Sequence, residues 1–315
     1  MPMIETRDGT RLYVKSWGTG RPVVLIHGWP LSGDSWDPVA LALAEAGYRA
    51  IAYDRRGFGR SDQPWQGYDY DTFADDLADV MHSQIGAQLG AQAAADNVAL
   101  VGFSMGGGEI ARYLSRHGGK GVSQVALVSS VVPYMLQTED NPHGVPEAAL
   151  QQIGDGIRDD RAHFFRGFFK DFFGAGLLTS PVSSETLDAA WNTAMQAGLH
   201  PTLAAAQAFG STDFRPDLAH FTVPTLIIHG TADKTVPIDA TGRAVASAVS
   251  QSTLIEYDGE PHGVFATQTA RLTSDLLEFL GGPGSVFKGL DQAGPADRQA
   301  LLDELTYESL ATPRI

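Results

Sequence analysis

The 315-residue chain contains no cysteine. That absence removes disulfides, thiolate nucleophiles and cysteine-ligated zinc or iron–sulfur centres together. Basic residues are also scarce: 22 Lys and Arg stand against 37 Asp and Glu, a formal net charge of −15. A surface of that sign repels phosphates, so neither nucleic acid nor an anionic membrane is an expected partner, and the acidity reads as a source of solubility. No apolar run approaches the length of a membrane span. Met1 to Asp8 lacks the basic stretch followed by an apolar one that a secretory leader carries. A cytoplasmic location is the expectation. Charged residues make up 19% of the chain and apolar ones 43%, which favours a packed core over disorder. The length suits one large α/β domain or two small ones.

What is present alternates. Short apolar, β-branched runs at 22–26, 49–53, 98–101, 123–128, 223–228 and 252–257 read as strands. Two more, 4–7 and 12–16, flank the hairpin signal Asp8-Gly9-Thr10. Helical periodicity is expected at 35–46, 70–85, 109–116, 238–249 and 264–280. Strand–helix alternation of this kind predicts a mostly parallel, doubly wound sheet. Pro133 interrupts the rhythm, and from there to about Phe221 only helical runs follow: 146–159, 162–173, 184–196 and 201–209. Inserted between two sheet strands, such a block should lie over the crevice where open α/β sheets bind ligands, as a helical cap. The expected organisation is a core of 1–132 with 222–282, a cap of 133–221 and a C-terminal extension of 283–315. The extension carries one amphipathic segment, 295–310, whose contact is either the chain's own surface or a neighbouring subunit. The Ala/Gln/Gly-rich stretch 86–96 reads as a helix extension or a surface insertion.

The chemistry centres on Gly102-Phe103-Ser104-Met105-Gly106, set between a buried strand and a helix. Gly-x-Ser-x-Gly in that context is a nucleophile elbow: its glycines allow a sharp turn that lifts the serine above the carboxyl end of the sheet. A base must then be found among nine histidines. His262 stands out because it sits in a Gly/Pro-bounded loop directly after the last strand. His229, before a turn glycine, reads as a core residue, and the others lie in helices or their connections. Asp233, in the loop after the strand ending at His229, can orient the imidazole. The order Ser104, Asp233, His262 is that of the α/β-hydrolase triad. Two backbone amides must bind the oxyanion. Met105 follows the nucleophile, and Trp29 is the candidate from the loop His27-Gly28-Trp29-Pro30, since Pro30 has no N–H. Losing one such donor costs about 3–4 kcal/mol in comparable enzymes, so this loop must be rigid. His27 and Gly28 read as the residues that shape it. Asp54 to Gly59 sets charges beside glycines but lacks the Lys-Ser/Thr of a phosphate loop, and reads as a structural turn.

These segments, with Tyr53-Asp-Arg-Arg-Gly-Phe-Gly-Arg-Ser-Asp62 and Pro261-His-Gly263, resemble the α/β-hydrolase superfamily over residues 4–280. More narrowly, they resemble its branch of cofactor-free (non-haem) chloroperoxidases, arylesterases and perhydrolases. The resemblance implies an α/β-hydrolase fold, catalytic Ser104, Asp233 and His262, oxyanion donors Trp29 and Met105, and neither metal nor other cofactor. In that branch a proline after the oxyanion-loop aromatic accompanies better use of hydrogen peroxide, so Pro30 points toward perhydrolysis. The expected partners are a small ester or acyl substrate, hydrogen peroxide, and further copies of the chain in a homo-oligomer.

Phe164, Phe168 and Phe172 recur at i, i+4, as do Phe165, Phe169 and Phe173. Both stripes can serve cap packing. Phe164 and Phe168, with Trp29, Pro30 and Phe103, are also candidates to line an acyl pocket. The expected activity is ester hydrolysis through an acyl-enzyme with perhydrolase activity. A lactonase, amidase or carbon–carbon hydrolase could use the same triad, and a receptor could use the same scaffold without turnover.

Overall fold

The computed structural model describes residues 2–86, 97–176 and 180–281. The stretch 87–96 and the extension 283–315 therefore lie outside the described residues. Eight strands form one sheet in the order β1-β2-β4-β3-β5-β6-β7-β8. They are β1 (Met3–Glu5), β2 (Arg11–Trp17), β3 (Pro22–Ile26), β4 (Arg49–Tyr53), β5 (Val98–Phe103), β6 (Val122–Val128), β7 (Thr225–Gly230) and β8 (Ser252–Tyr257). The β1–β2 and β2–β4 pairs are antiparallel, and the other five are parallel. Parallel strands are covered on both faces, which is why β3 and β5 are apolar and buried along their whole length.

Register decides where the chemistry can be. Ile26 pairs with Gly102, Phe103 with Val128, and Val128 with Ile228. The carboxyl ends of the central strands are thus level, and His27 and Ser104, which follow β3 and β5, emerge along one edge of the sheet beside His229 near the end of β7.

The helices flanking the sheet are α1 (Asp37–Glu45), α2 (Tyr70–Met81), α3 (Met105–Arg116), α7 (Gly242–Ala248), α8 (Val264–Thr267) and α9 (Thr269–Leu280). Between β6 and β7 stand α4 (Glu147–Phe172), α5 (Ser184–Gln196) and α6 (Leu199–Ser211). No helix among the described residues is long and apolar enough to cross a membrane.

Several boundaries differ from the sequence expectation, each for a local reason. The elbow helix starts at Met105 rather than 109, because the glycines at 106–108 are taken into its first turn. The expected runs 146–159 and 162–173 form one element broken at Asp160, whose carboxylate caps the second part by accepting His163 N–H at 2.9 Å. The helix expected from 238 begins only at Gly242. Before it, the Thr241 hydroxyl bonds the Pro237 carbonyl, and the chain turns instead. The expected helix 264–280 is split at Gln268, where Thr267 Oγ1 and Gln268 Nε2 both bond the Glu260 carboxylate. Helix 70–85 is regular to Met81 and continues as a π-helical turn, His82–Gly86.

Close approach of β5, α3 and β3 sets the tightest packing requirement. A Cβ on Gly106 would lie 2.6 Å from the Ile26 carbonyl oxygen, and one on Gly102 would lie 2.7 Å from the backbone of Gly106. Gly106→Ala should therefore force helix and strand apart, with a loss of about 2–3 kcal/mol in denaturant-induced unfolding. A stability within about 0.5 kcal/mol of wild type would show that this contact is not limiting.

Candidate active site

Ser104 occupies the junction between β5 and α3 with φ 54° and ψ −117°. A side chain rarely adopts a positive φ, and a residue held there is commonly one whose aim matters. Here the turn is locked on both sides. Ser104 N–H donates to the Val128 carbonyl at 2.8 Å, and its own carbonyl accepts from Gly107 and Val131.

His262 lies in the loop between β8 and α8, with its Nε2 3.0 Å from Ser104 Oγ and its Nδ1 2.6 Å from Asp233 Oδ2. Its ring is enclosed by Phe103 and Phe172, at 4.9 and 4.8 Å between centroids. Gly263 N–H bonds the carbonyl of Phe172, so the histidine loop is tied to the end of α4. Ala232 N–H bonds the Glu260 carbonyl, which ties the same loop to the one carrying Asp233. Ser104 keeps 6% of its surface exposed and His262 only 1%.

Asp233 is buried yet satisfied on both oxygens. Oδ1 accepts Thr235 N–H at 2.9 Å and Val236 N–H at 2.8 Å. Oδ2 faces His262 Nδ1 and, at 3.2 Å, His229 Nε2, which also meets the Val236 carbonyl at 3.0 Å. Burial pushes the carboxyl up. Electrostatic attraction to the His262 ring, with hydrogen bonds from His229 and His262, outweighs this and holds Asp233 well below the usual carboxylate range. The sequence placed His229 in the core, where it is, but gave no sign that it also reaches Asp233. The only available signal was the His-Gly-x-x-Asp spacing.

The loop after β3 completes the site. A Cβ on Gly28 would sit 2.9 Å from the Ser104 Cβ, so this loop passes directly beside the nucleophile position. The Trp29 and Met105 amides have no hydrogen-bond partner among the described residues, so both could donate to a ligand. Trp29 and Pro30 are joined by a cis peptide bond, and both side chains are buried. Trp29 Nε1 donates to the Thr202 carbonyl at 2.9 Å, and its ring packs against Phe165, Phe168 and Phe209 at 5.4–5.6 Å. Phe168 thus lies against the loop, whereas Phe164 reaches Trp29 only through Phe165 and Phe168. Phe103 has no exposed surface. It stands behind His262 against Phe172 and Phe265, as packing for the imidazole. Sequence periodicity missed Phe165 and Phe209 as the neighbours of Trp29, because the helix rotation that selects them is set by packing. Among the described residues, no group of three or more His, Asp or Glu is placed to hold a metal ion.

This arrangement can move a proton from a serine hydroxyl to an imidazole backed by a carboxylate, beside two free amides. That is the equipment for acyl transfer. A family model described as the alpha/beta hydrolase fold matches residues 21–269. A non-heme chloroperoxidase of Kitasatospora aureofaciens is 42% identical over 282 residues, 89% of this chain and 99% of that one. A bifunctional esterase/perhydrolase of Acinetobacter calcoaceticus is 37% identical over 89% of this chain and 99% of its own. Among solved structures, a bromoperoxidase from Bacillus anthracis matches with a TM-score of 0.83 and 44% identity, over 89% of this chain and 99% of that chain.

Because the folded Asp233 titrates below an unfolded aspartate, its contribution to stability is full above the unfolded value of about 4 and is lost as pH falls from there toward the folded value. The stability advantage of wild type over Asp233→Asn should accordingly be constant from pH 7 to about pH 5 and shrink below about pH 4 in calorimetry. An advantage that grows on acidification would contradict the depressed carboxyl.

Proposed function

Since the chain belongs to the α/β-hydrolase family, we propose that it is a serine hydrolase that cleaves carboxylic esters through an acyl-enzyme and passes the acyl group to water or to hydrogen peroxide. The observation that carries this reading is the continuous contact from Ser104 Oγ to His262 at 3.0 Å and on to Asp233 at 2.6 Å, with two unpartnered amides alongside. Ser104 Oγ attacks the ester carbonyl while His262 Nε2 takes its proton. The Trp29 and Met105 amides hold the oxyanion, and Asp233 steadies the imidazolium. Collapse breaks the bond to the alkoxy group, which leaves with the proton from His262. Water or hydrogen peroxide then gives a proton to His262 and attacks the acyl carbon, and Ser104 leaves and recovers that proton. Water yields an acid and peroxide a peracid. Peracid in solution can oxidise halide to hypohalite and become the acid, so haloperoxidase chemistry needs no metal step at the protein.

The substrate preference follows from the rings above the site. Phe168 lies edge-on to Trp29 and packs against Phe172, whose ring faces His262, so an acyl group carried on Ser104 Oγ between the two loops would meet it. We assign to Trp29, Pro30 and Phe168 the wall of an acyl pocket suited to short or aromatic acyl groups. Phe164 and Phe103 act behind that wall. Homo-oligomeric assembly belongs to the same reading, and size-exclusion of a chain ending at Leu280 tests whether the extension serves it: an unchanged elution size per subunit would assign the extension elsewhere.

The direct test is a p-nitrophenyl ester series with and without hydrogen peroxide. Ser104→Ala should lower kcat by about 10⁴-fold or more. Peroxide should divert product from acid to peracid in wild type alone. Ester turnover by Ser104→Ala at the wild-type rate would refute the mechanism. Phe168→Ala should raise the kcat/KM ratio of hexanoate over acetate by about tenfold. Phe169→Ala, fully buried behind Phe165 and Phe168, should instead cost about 3 kcal/mol of stability and change that ratio less than Phe168→Ala does.

A further inference from the structure

Glu109 lies on α3 one turn beyond Met105, and its side chain has no exposed surface. A carboxylate in such a place must be paired. It hydrogen-bonds Tyr53 Oη through one oxygen and the Arg55 guanidinium Nε through the other. No step of the proposed reaction uses any of these three groups.

The guanidinium continues toward the site. Arg55 Nη2 donates to the His27 carbonyl at 2.7 Å, and the Arg55 backbone N–H donates to His27 Nε2 at 2.9 Å. A backbone amide can only donate, so His27 Nε2 is the acceptor. The ring is fully buried beside the Arg55 charge, and both push its pKa well below the usual range for histidine, so it is neutral. A neutral imidazole accepting at Nε2 carries its hydrogen on Nδ1. That hydrogen is given to the Gly28 carbonyl at 2.9 Å, and Leu31 N–H donates to the same oxygen at 3.0 Å. The Gly28 carbonyl and the Trp29 N–H belong to one peptide unit. It is not among the cis bonds, which are Trp29–Pro30 and Val132–Pro133, so carbonyl and N–H point in opposite directions. Fixing the carbonyl from below aims the amide at the site above.

We infer that Glu109 is a positioning residue for the oxyanion site: through Arg55 and His27 it fixes the Gly28–Trp29 peptide relative to the helix whose first amide, Met105, is the other donor. One buried ion pair then sets the separation of the two donors. The inference rests on the acyl-transfer reading of Ser104. Oxyanion donors act through preorganisation, so loosening one is felt where charge develops and little in the ground state.

The test compares Glu109→Gln, Glu109→Asp and the double variant Arg55→Met/Glu109→Leu, with Ser104→Ala in parallel. Steady-state kinetics on p-nitrophenyl acetate, affinity for phenylboronic acid and Tm are measured for each. Phenylboronic acid forms a tetrahedral anionic adduct with the serine and so reports the oxyanion site directly. Glu109→Gln should lower kcat about 10- to 100-fold with KM within about twofold, and weaken boronate binding in the same proportion. Glu109→Asp, which keeps the charge, should recover part of both. The double variant removes both charges, a replacement often neutral for folding, so it should melt near wild type and still have low kcat. A folded double variant with wild-type kcat and boronate affinity, beside an inactive Ser104→Ala, would overturn the positioning role alone. Full activity in Ser104→Ala would overturn the acyl-transfer reading and this inference together.

Discussion

The reversal of the chain at Ser104 is the constraint around which the other features of the site are arranged. Positive φ at a serine costs of order 1–3 kcal/mol and must be held by its surroundings. Here β5 is buried on both faces and α3 is pressed against β3 at Gly106, so the strand and helix cannot rotate to relieve the turn. The same contact places Met105 N–H at the helix start, where four amides lack intrahelical partners. In the proposed mechanism, nucleophile aim and oxyanion binding are thus consequences of one backbone geometry.

Around that turn the protein buries charges that would be costly if left unpaired. Asp233 is the clearest case: burial alone would favour its neutral form, but two amides and two imidazoles face its oxygens, and the ionised form prevails. Arg55 and Glu109 solve the same problem as a pair, and Arg56 with Asp76 as a bidentate one at 2.6 Å. Asp54 accepts from Gly33 N–H and from Arg60, holding the far end of the loop that begins at His27. The charged turn after β4 therefore works as a clamp on the loop after β3, and its arginines are spent on carboxylates and carbonyls of the protein itself. A reading of those charges as an anion site would have to break this clamp.

How much of this was legible depended on how far apart the interacting residues lie in sequence. Five consecutive residues contain the elbow, and its neighbours supply strand and helix, so Ser104 could be read directly. Asp233 and His262 were readable because parallel strands deliver loop residues to one edge, and both follow strand ends. Helix starts were less legible: a glycine run such as 106–108 looks like a loop until packing against β3 makes it the first turn of α3. The histidine pair on Asp233 and the Glu109–Arg55–His27 connection were illegible for a related reason. Each depends on side-chain direction within elements whose existence, but not rotation, follows from apolar periodicity.

The aromatic layer shows the same division and bears on selectivity. Two phenylalanine stripes on α4 are equivalent in spacing, but Phe165, Phe169, Phe172 and Phe173 turn inward while Phe164 and Phe168 remain partly exposed. Phe172 does two jobs at once: its ring confines His262, and its carbonyl anchors Gly263. A change in α4 can therefore alter the base as well as the pocket. Phe168 stands one turn earlier, against both Trp29 and Phe172. In the proposed mechanism a change at Phe168 therefore acts on the acyl wall directly and on His262 only through Phe172, whereas a change at Phe172 acts on His262 at once. On that reading one turn of α4 lies between the residue that shapes the acyl wall and the one that confines the base.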